Sequence, residues 1–206
     1  MDYYTSFKDL IQNTKCALIV IDKQNAYAHS DFFHLTGKTP QKNAEAVLKN
    51  IDDFIEWARV AQLPVAWTRM IEDPKSSPAV VAQRMIIDQS STISQKNTPG
   101  YAYYGLTPLA PELEVDKYFP DAFSESKLAK WLTKNGVQTV LLVGGFASRC
   151  VLATAFGAQL SGFNPVVVSD LTLSPKQFED EVPASHKIIN GVVGYVKTAT
   201  ELKSLL

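Results

Sequence analysis

Cysteine, histidine and net charge are all scarce in this sequence. There are two cysteines, Cys16 and Cys150, and three histidines, His29, His34 and His186, in 206 residues. Two cysteines far apart in the chain make no disulfide framework. The formal net charge is -1, so no electrostatic footprint for nucleic acid or an anionic membrane shows. No apolar stretch is long enough to span a bilayer. The first fourteen residues carry Asp2, Lys8 and Asp9 and lack the basic start and unbroken apolar run of a signal peptide. Internal repeats and low-complexity segments are missing too. The expectation is one domain over residues 1–206 in the cytoplasm, with a small-molecule substrate and neither nucleic acid nor membrane as partner.

What the chain does have is a series of short apolar runs. Cys16-Ala-Leu-Ile-Val-Ile21 stops at Asp22. Pro64–Thr68, Thr139–Val143, Pro165–Val168 and Val192–Val196 follow, with a weaker candidate at Leu113–Val115 just before Asp116-Lys117. Runs apolar on both faces suit strands buried on both sides. Helical patterns lie between them. Val47, Leu48, Ile51, Phe54, Ile55 and Ala58 form one stripe between about Gln41 and Ala61, with Thr39-Pro40 as its expected start. Ser124–Leu132 ends near Gly136, and Cys150–Leu160 ends near Gly162. Pro175 to about Asn190 reads as a helix with a break at Pro183. Strand-helix alternation of this kind predicts an α/β fold: a three-layer α/β/α sandwich with a mainly parallel, six-stranded, Rossmann-like sheet. Residues 71–111 fall outside the alternation. Four prolines between Ile71 and Pro111 and the cluster Tyr101-Ala-Tyr-Tyr-Gly105 suggest a functional loop there, with one short helix near Val80–Ile87. The tyrosines read equally as a lid or as an oligomer contact.

Ligands of open parallel sheets bind beyond the carboxyl ends of the strands. Asp22, Lys117 and Cys150 all fall at such ends. Read alone, each has a plain explanation: a turn cap, a solvated lysine, a small buried hydrophobe. Together they make coherent chemistry. Cysteine attacks as its thiolate. A helix N-terminus and a lysine ammonium at Cys150 favour that form. Asp22 is placed to take the thiol proton and return it to a leaving amine. Backbone N–H groups of Phe146 and Cys150 are candidate oxyanion donors. Cys16, inside an apolar strand, reads as core.

Asp22-x-Gln24-Asn25, then Lys117-x5-Phe123, then Gly144-x5-Cys150-Val151-x2-Thr154 resembles the isochorismatase-like cysteine hydrolases. That family includes nicotinamidases, N-carbamoylsarcosine amidohydrolases, ureidoacrylate amidohydrolases and biuret hydrolases. The resemblance covers nearly the whole chain. It implies a catalytic triad at Asp22, Lys117 and Cys150, a cis peptide at Gly145-Phe146, and a homo-oligomer, dimer or tetramer. Nicotinamidases carry a metal site after the second strand. The corresponding Thr68-Arg-Met-Ile-Glu-Asp-Pro74 has no histidine, so neither a metal nor an organic cofactor is expected. The activity implied is hydrolysis of a C–N bond in a small amide, ureido or carbamoyl compound through an acyl-enzyme. The rival readings are vinyl ether or ester hydrolysis at the same site, and a non-catalytic binding module with a vestigial pocket. Trp67, Tyr118, Phe146 and Arg149 are the expected substrate-binding residues, Arg149 either holding a substrate carboxylate or making a subunit contact.

Overall fold

The apolar runs become strands. A computed structural model describes residues 3–90 and 92–206. Among them, β1 Cys16–Ile21, β2 Val65–Met70, β3 Leu113–Lys117, β4 Thr139–Gly145, β5 Asn164–Leu173 and β6 Tyr195–Lys197 form one sheet. Its order is β3-β2-β1-β4-β5-β6, and every neighbouring pair is parallel. Around it lie α1 Phe7–Asn13, α2 Ala44–Val60, α3 Ala79–Ile87, α4 Ser126–Lys134, α5 Leu152–Leu160, α6 Val182–Ile188 and α7 Ala199–Lys203.

Alternation along the strands creates the two outer layers. Cys16, Leu18 and Val20 of β1 pack with Leu141 and Val143 of β4 against α2 residues Leu48, Ile51 and Ile55. Ala17, Ile19 and Ile21 point the other way, with Val140 and Leu142, toward Leu128 and Leu132 of α4 and Ala155 and Ala158 of α5. The chain leaves β1 for β2 and β3 on one side, then returns to β4 on the other. The switch point therefore lies between β1 and β4.

Several boundaries differ from expectation, each for a tertiary reason. Helix α2 starts at Ala44 because Thr39 is engaged elsewhere. Its carbonyl accepts the Lys176 N–H at 2.8 Å, and its N–H donates to Gln177 Oε1 at 3.0 Å. Pro183 lies in the first turn of α6, where its missing N–H costs nothing, so it starts a helix and does not break one. Strand β5 continues through Ser169-Asp170 by a register shift against β4 between Leu142 and Gly144. Val192 and Val193 belong to the π-helical turn before β6.

The tyrosine segment is a strap. The N–H groups of Asn25 and Ala26 donate to Ala102 O and Gly100 O at 2.9 Å each, and the Tyr104 N–H donates to Lys23 O at 2.8 Å. Gln24 binds Met70 from both ends: its Nε2 donates to Met70 O at 3.1 Å, and its Oε1 accepts the Met70 N–H at 2.7 Å. Tyr101 is buried, and its hydroxyl donates to Asp116. These bonds seat residues 99–105 on the loop that follows β1.

Candidate active site

Three strand ends deliver the predicted trio to one place. Asp22 follows β1 with φ +48°, a left-handed conformation that turns its side chain out of the strand direction. Lys117 is the last residue of β3, paired in register with Met70 of β2. Its side chain crosses over β2, passing 3.6 Å from Met70 Sδ, and reaches Asp22. Cys150 lies in a π-helical turn, Ala147–Val151, between β4 and α5. Gly144, at φ +105°, permits the close approach of β4 to β1. A Cβ there would stand 2.1 Å from the Ile21 carbonyl oxygen. The Gly145-Phe146 peptide is cis.

The Lys117 ammonium lies 2.7 Å from Asp22 Oδ2, with side chains 0% and 2% exposed. The other carboxylate oxygen accepts the Thr68 hydroxyl at 2.7 Å. That hydroxyl in turn accepts the Asp22 N–H at 3.2 Å. Lys117 also donates to Phe119 O at 3.2 Å. A buried pair of this kind depends on its remaining hydrogen-bonding capacity being met; Thr68 and Phe119 meet part of it, while Asp22 Oδ2 has the Lys117 charge beside it without a hydrogen bond of good geometry. Asp22 and Cys150 border one cleft, and both Asp22 and Lys117 act on the Cys150 thiol.

Burial pushes the Cys150 thiol up to about 12; Lys117 opposes that rise and Asp22 adds to it. The direction runs against the expected favouring of the thiolate: exclusion of water outweighs the ammonium. Burial works against the Lys117 charge, but Asp22 and Cys150 more than offset it and hold the ammonium above its usual range.

A model of the isochorismatase domain matches residues 16–201. The chain belongs to the isochorismatase family. It is 29% identical over 153 residues to a secreted isochorismatase effector of Verticillium dahliae, covering 74% of this chain and 70% of that protein. An N-carbamoylsarcosine amidase of Arthrobacter is 25% identical over 157 residues, covering 73% of this chain and 56% of the relative. Among solved structures, an isochorismatase family protein of Desulfovibrio vulgaris superposes with a TM-score of 0.78 at 19% identity, over 94% and 98% of the two chains.

In this isochorismatase-family chain a cleft of about 320 Å³ is bordered by Asp22 and Cys150, with Lys117 buried behind Asp22. Tyr27, Lys38, Glu72, Phe146, Arg149 and Phe178 also line it. Phe146 is lined up as expected, and its ring meets Tyr27 edge-on at 5.6 Å. Trp67 is not a wall. It is 0% exposed, lies in the α2-side core, and donates Nε1–H to Glu112 Oε2 at 2.7 Å. Its position on β2 points it into that layer, away from the strand ends. Tyr118 is partly exposed and is not among the described residues lining the cleft. Arg149 does border it, but its guanidinium is forked onto Glu181, with Nη2 2.9 Å from Oε1, and lies 4.2 Å over the Phe178 ring.

Sequence reasoning overlooked Thr68, Tyr27, Lys38, Glu72 and Phe178. Only Glu72 carried a signal: it is an acidic residue just past a strand end, in a stretch read for histidines alone. Thr154, one turn past Cys150, holds the neighbouring loop by accepting the Ala122 N–H at 3.1 Å.

Proposed function

We propose that this chain is a cysteine hydrolase that cleaves the C–N bond of a small amide, ureido or carbamoyl compound. The observation that supports the reading is that Cys150 shares one cleft with an aspartate that is itself paired with a buried lysine. A thiol raised by burial needs a base at the moment of attack, and Asp22 is a carboxylate in the same cleft.

In the first half-reaction Cys150 Sγ attacks the carbonyl carbon. Asp22 takes the sulfur's proton as the C–S bond forms. Charge builds on the carbonyl oxygen, and the N–H groups of Phe146 and Cys150, at the start of the turn into α5, stabilise it. Asp22 then passes the proton to the leaving nitrogen. The C–N bond breaks and an amine or ammonia departs, leaving a thioester. In the second half-reaction Asp22 takes a proton from water, hydroxide attacks the thioester, and the proton returns to sulfur. The acid product is released. Lys117 keeps Asp22 oriented and supplies positive charge beside the nascent thiolate. No step calls for a metal or an organic cofactor.

A relative named as an N-carbamoylsarcosine amidase supports C–N bonds as the target. The test is a panel of small amides and ureides assayed for ammonia release, with intact-mass measurement during turnover. An acyl adduct on Cys150 is expected, absent from Cys150→Ala. Turnover unchanged in Cys150→Ala would refute the mechanism. The proposed partner is this small molecule alone, with the chain as a cytoplasmic homo-oligomer, a state that sedimentation analysis measures directly.

A further inference from the structure

Glu72 stands in the loop after β2, its N–H donating to Ser94 O at 3.2 Å. Its carboxyl borders the same cleft as Cys150. The other acidic groups there are occupied. Asp22 is shared by Lys117 and Thr68, and Asp88 pairs with Arg84 at 3.2 Å. The cation Arg149 is likewise taken, by Glu181. Among the described residues no ammonium or guanidinium forms an ion pair with Glu72. The groups that act on it are the buried Tyr27 hydroxyl, which has no hydrogen-bond partner of good geometry among the described residues, and the charges of Lys38, Asp22 and Lys117. The residue as a whole keeps partial exposure, while its carboxyl lies deep enough that burial raises it; Tyr27 and Lys38 oppose that rise. A recessed acceptor without a fixed cation, opening on the reaction cleft, has its lone pairs available to a bound molecule.

We infer that Glu72 selects for an N–H donor on the substrate: its carboxyl oxygen accepts a hydrogen bond from an amide or ureido N–H while the carbonyl carbon rests against Cys150 Sγ. This rests on Cys150 being the nucleophile. The chemical class it assigns is a compound with a free N–H at or next to the scissile carbonyl. An ester of the same shape offers no such donor and leaves Glu72 unpaired. A site built to bind an N–H rejects an analogue that lacks it.

The experiment uses two alkylating probes that share a leaving group, bromoacetamide and methyl bromoacetate. In each, the cysteine sulfur forms a bond to the methylene carbon, the C–Br bond breaks, bromide departs, and the thiol proton passes to Asp22 or solvent. Rates are read at Cys150 by peptide mapping, which separates it from Cys16, and are divided by the rates of free cysteine. The wild type is expected to favour bromoacetamide by about tenfold, the scale of one hydrogen bond to a charged group. Glu72→Leu is expected to lose that preference. Glu72→Gln, isosteric and still an acceptor, is expected to keep part of it. A wild-type ratio equal to that of free cysteine overturns the inference without recourse to any variant. So does a preference that survives in Glu72→Leu. Failure of both probes to label Cys150 would instead defeat the nucleophile on which the inference rests.

Discussion

The two cysteines occupy opposite ends of the sheet, and their surroundings explain why only one is a candidate nucleophile. Cys16 opens β1 at the amino-terminal edge. Burial raises its thiol to about 11, and its sulfur donates to Thr14 O, 3.9 Å away. The polar groups at that edge satisfy one another: the Thr14 and Thr139 hydroxyls meet at 2.8 Å. Cys150 lies at the carboxyl-terminal edge, where it is partly exposed and borders a cleft, and a carboxylate and an ammonium act on its thiol. Both thiols are raised, so the pKa direction does not tell them apart. The difference is a neighbouring base. The two buried lysines repeat the lesson. Lys23, adjacent to Asp22 in sequence, points away from the cleft to Asp52 at 2.8 Å, and burial lowers it despite that partner. It braces the strap, donating to Tyr104 O. Lys117 faces two groups that become anionic in turn.

The sharpest way to break this contrast is to exchange the sulfurs' fates. Cys150→Ser is expected to lower turnover by at least about 1,000-fold, whereas Cys16→Ala leaves it unchanged. Steady-state rates on any substrate from the amide panel read both. Next in size, Lys117→Met removes one partner of the buried pair. It is expected to cost about 3–5 kcal/mol of stability, seen as a lower denaturant midpoint, as well as about 100-fold or more in rate. Lys23→Met tests the other lysine: it should destabilise the fold while leaving more of the per-molecule activity than Lys117→Met does.

A pH experiment sharpens the comparison further. The Cys16 thiol is raised in the folded chain from 9.0 to about 11, so the fold favours its neutral form. That stability is fully present below pH 9 and is lost as pH rises through 11. Cys16→Ala is therefore expected to flatten the alkaline fall in unfolding free energy, by roughly 2 kcal/mol at pH 11. Chemical denaturation between pH 8 and 11 measures it. The smallest expected effect is at Trp67. Trp67→Phe deletes the hydrogen bond to Glu112 and should cost about 1 kcal/mol with no change in KM. A large KM change would return Trp67 to the cleft.

Much of the fold was legible in the chain because strands buried on both faces must be apolar along their length. Cys16–Ile21 and Thr139–Val143 satisfied that rule and stand at the centre of the sheet. The weak run Leu113–Val115 also became a strand, at the sheet edge where burial is incomplete, and carried Lys117 as its last residue. Trp67 was misjudged because proximity to a strand end does not specify a face. The period of two along β2 places it with α2, while Thr68, one residue on, turns to Asp22. Glu72 was passed over although it is an acidic residue just past a strand end, because metal-binding histidines were the only feature sought in that stretch.

Hydrophobic pattern alone determined the layer order and which residues stand at strand ends, since local periodicity follows from burial on one face or two. Only the tertiary structure decided that Lys117 crosses β2 to reach Asp22, that burial raises the Cys150 thiol, and that Arg149 is bound to Glu181. Those facts depend on distance and on the exclusion of water between segments far apart in the chain, and neither quantity is written in residue order.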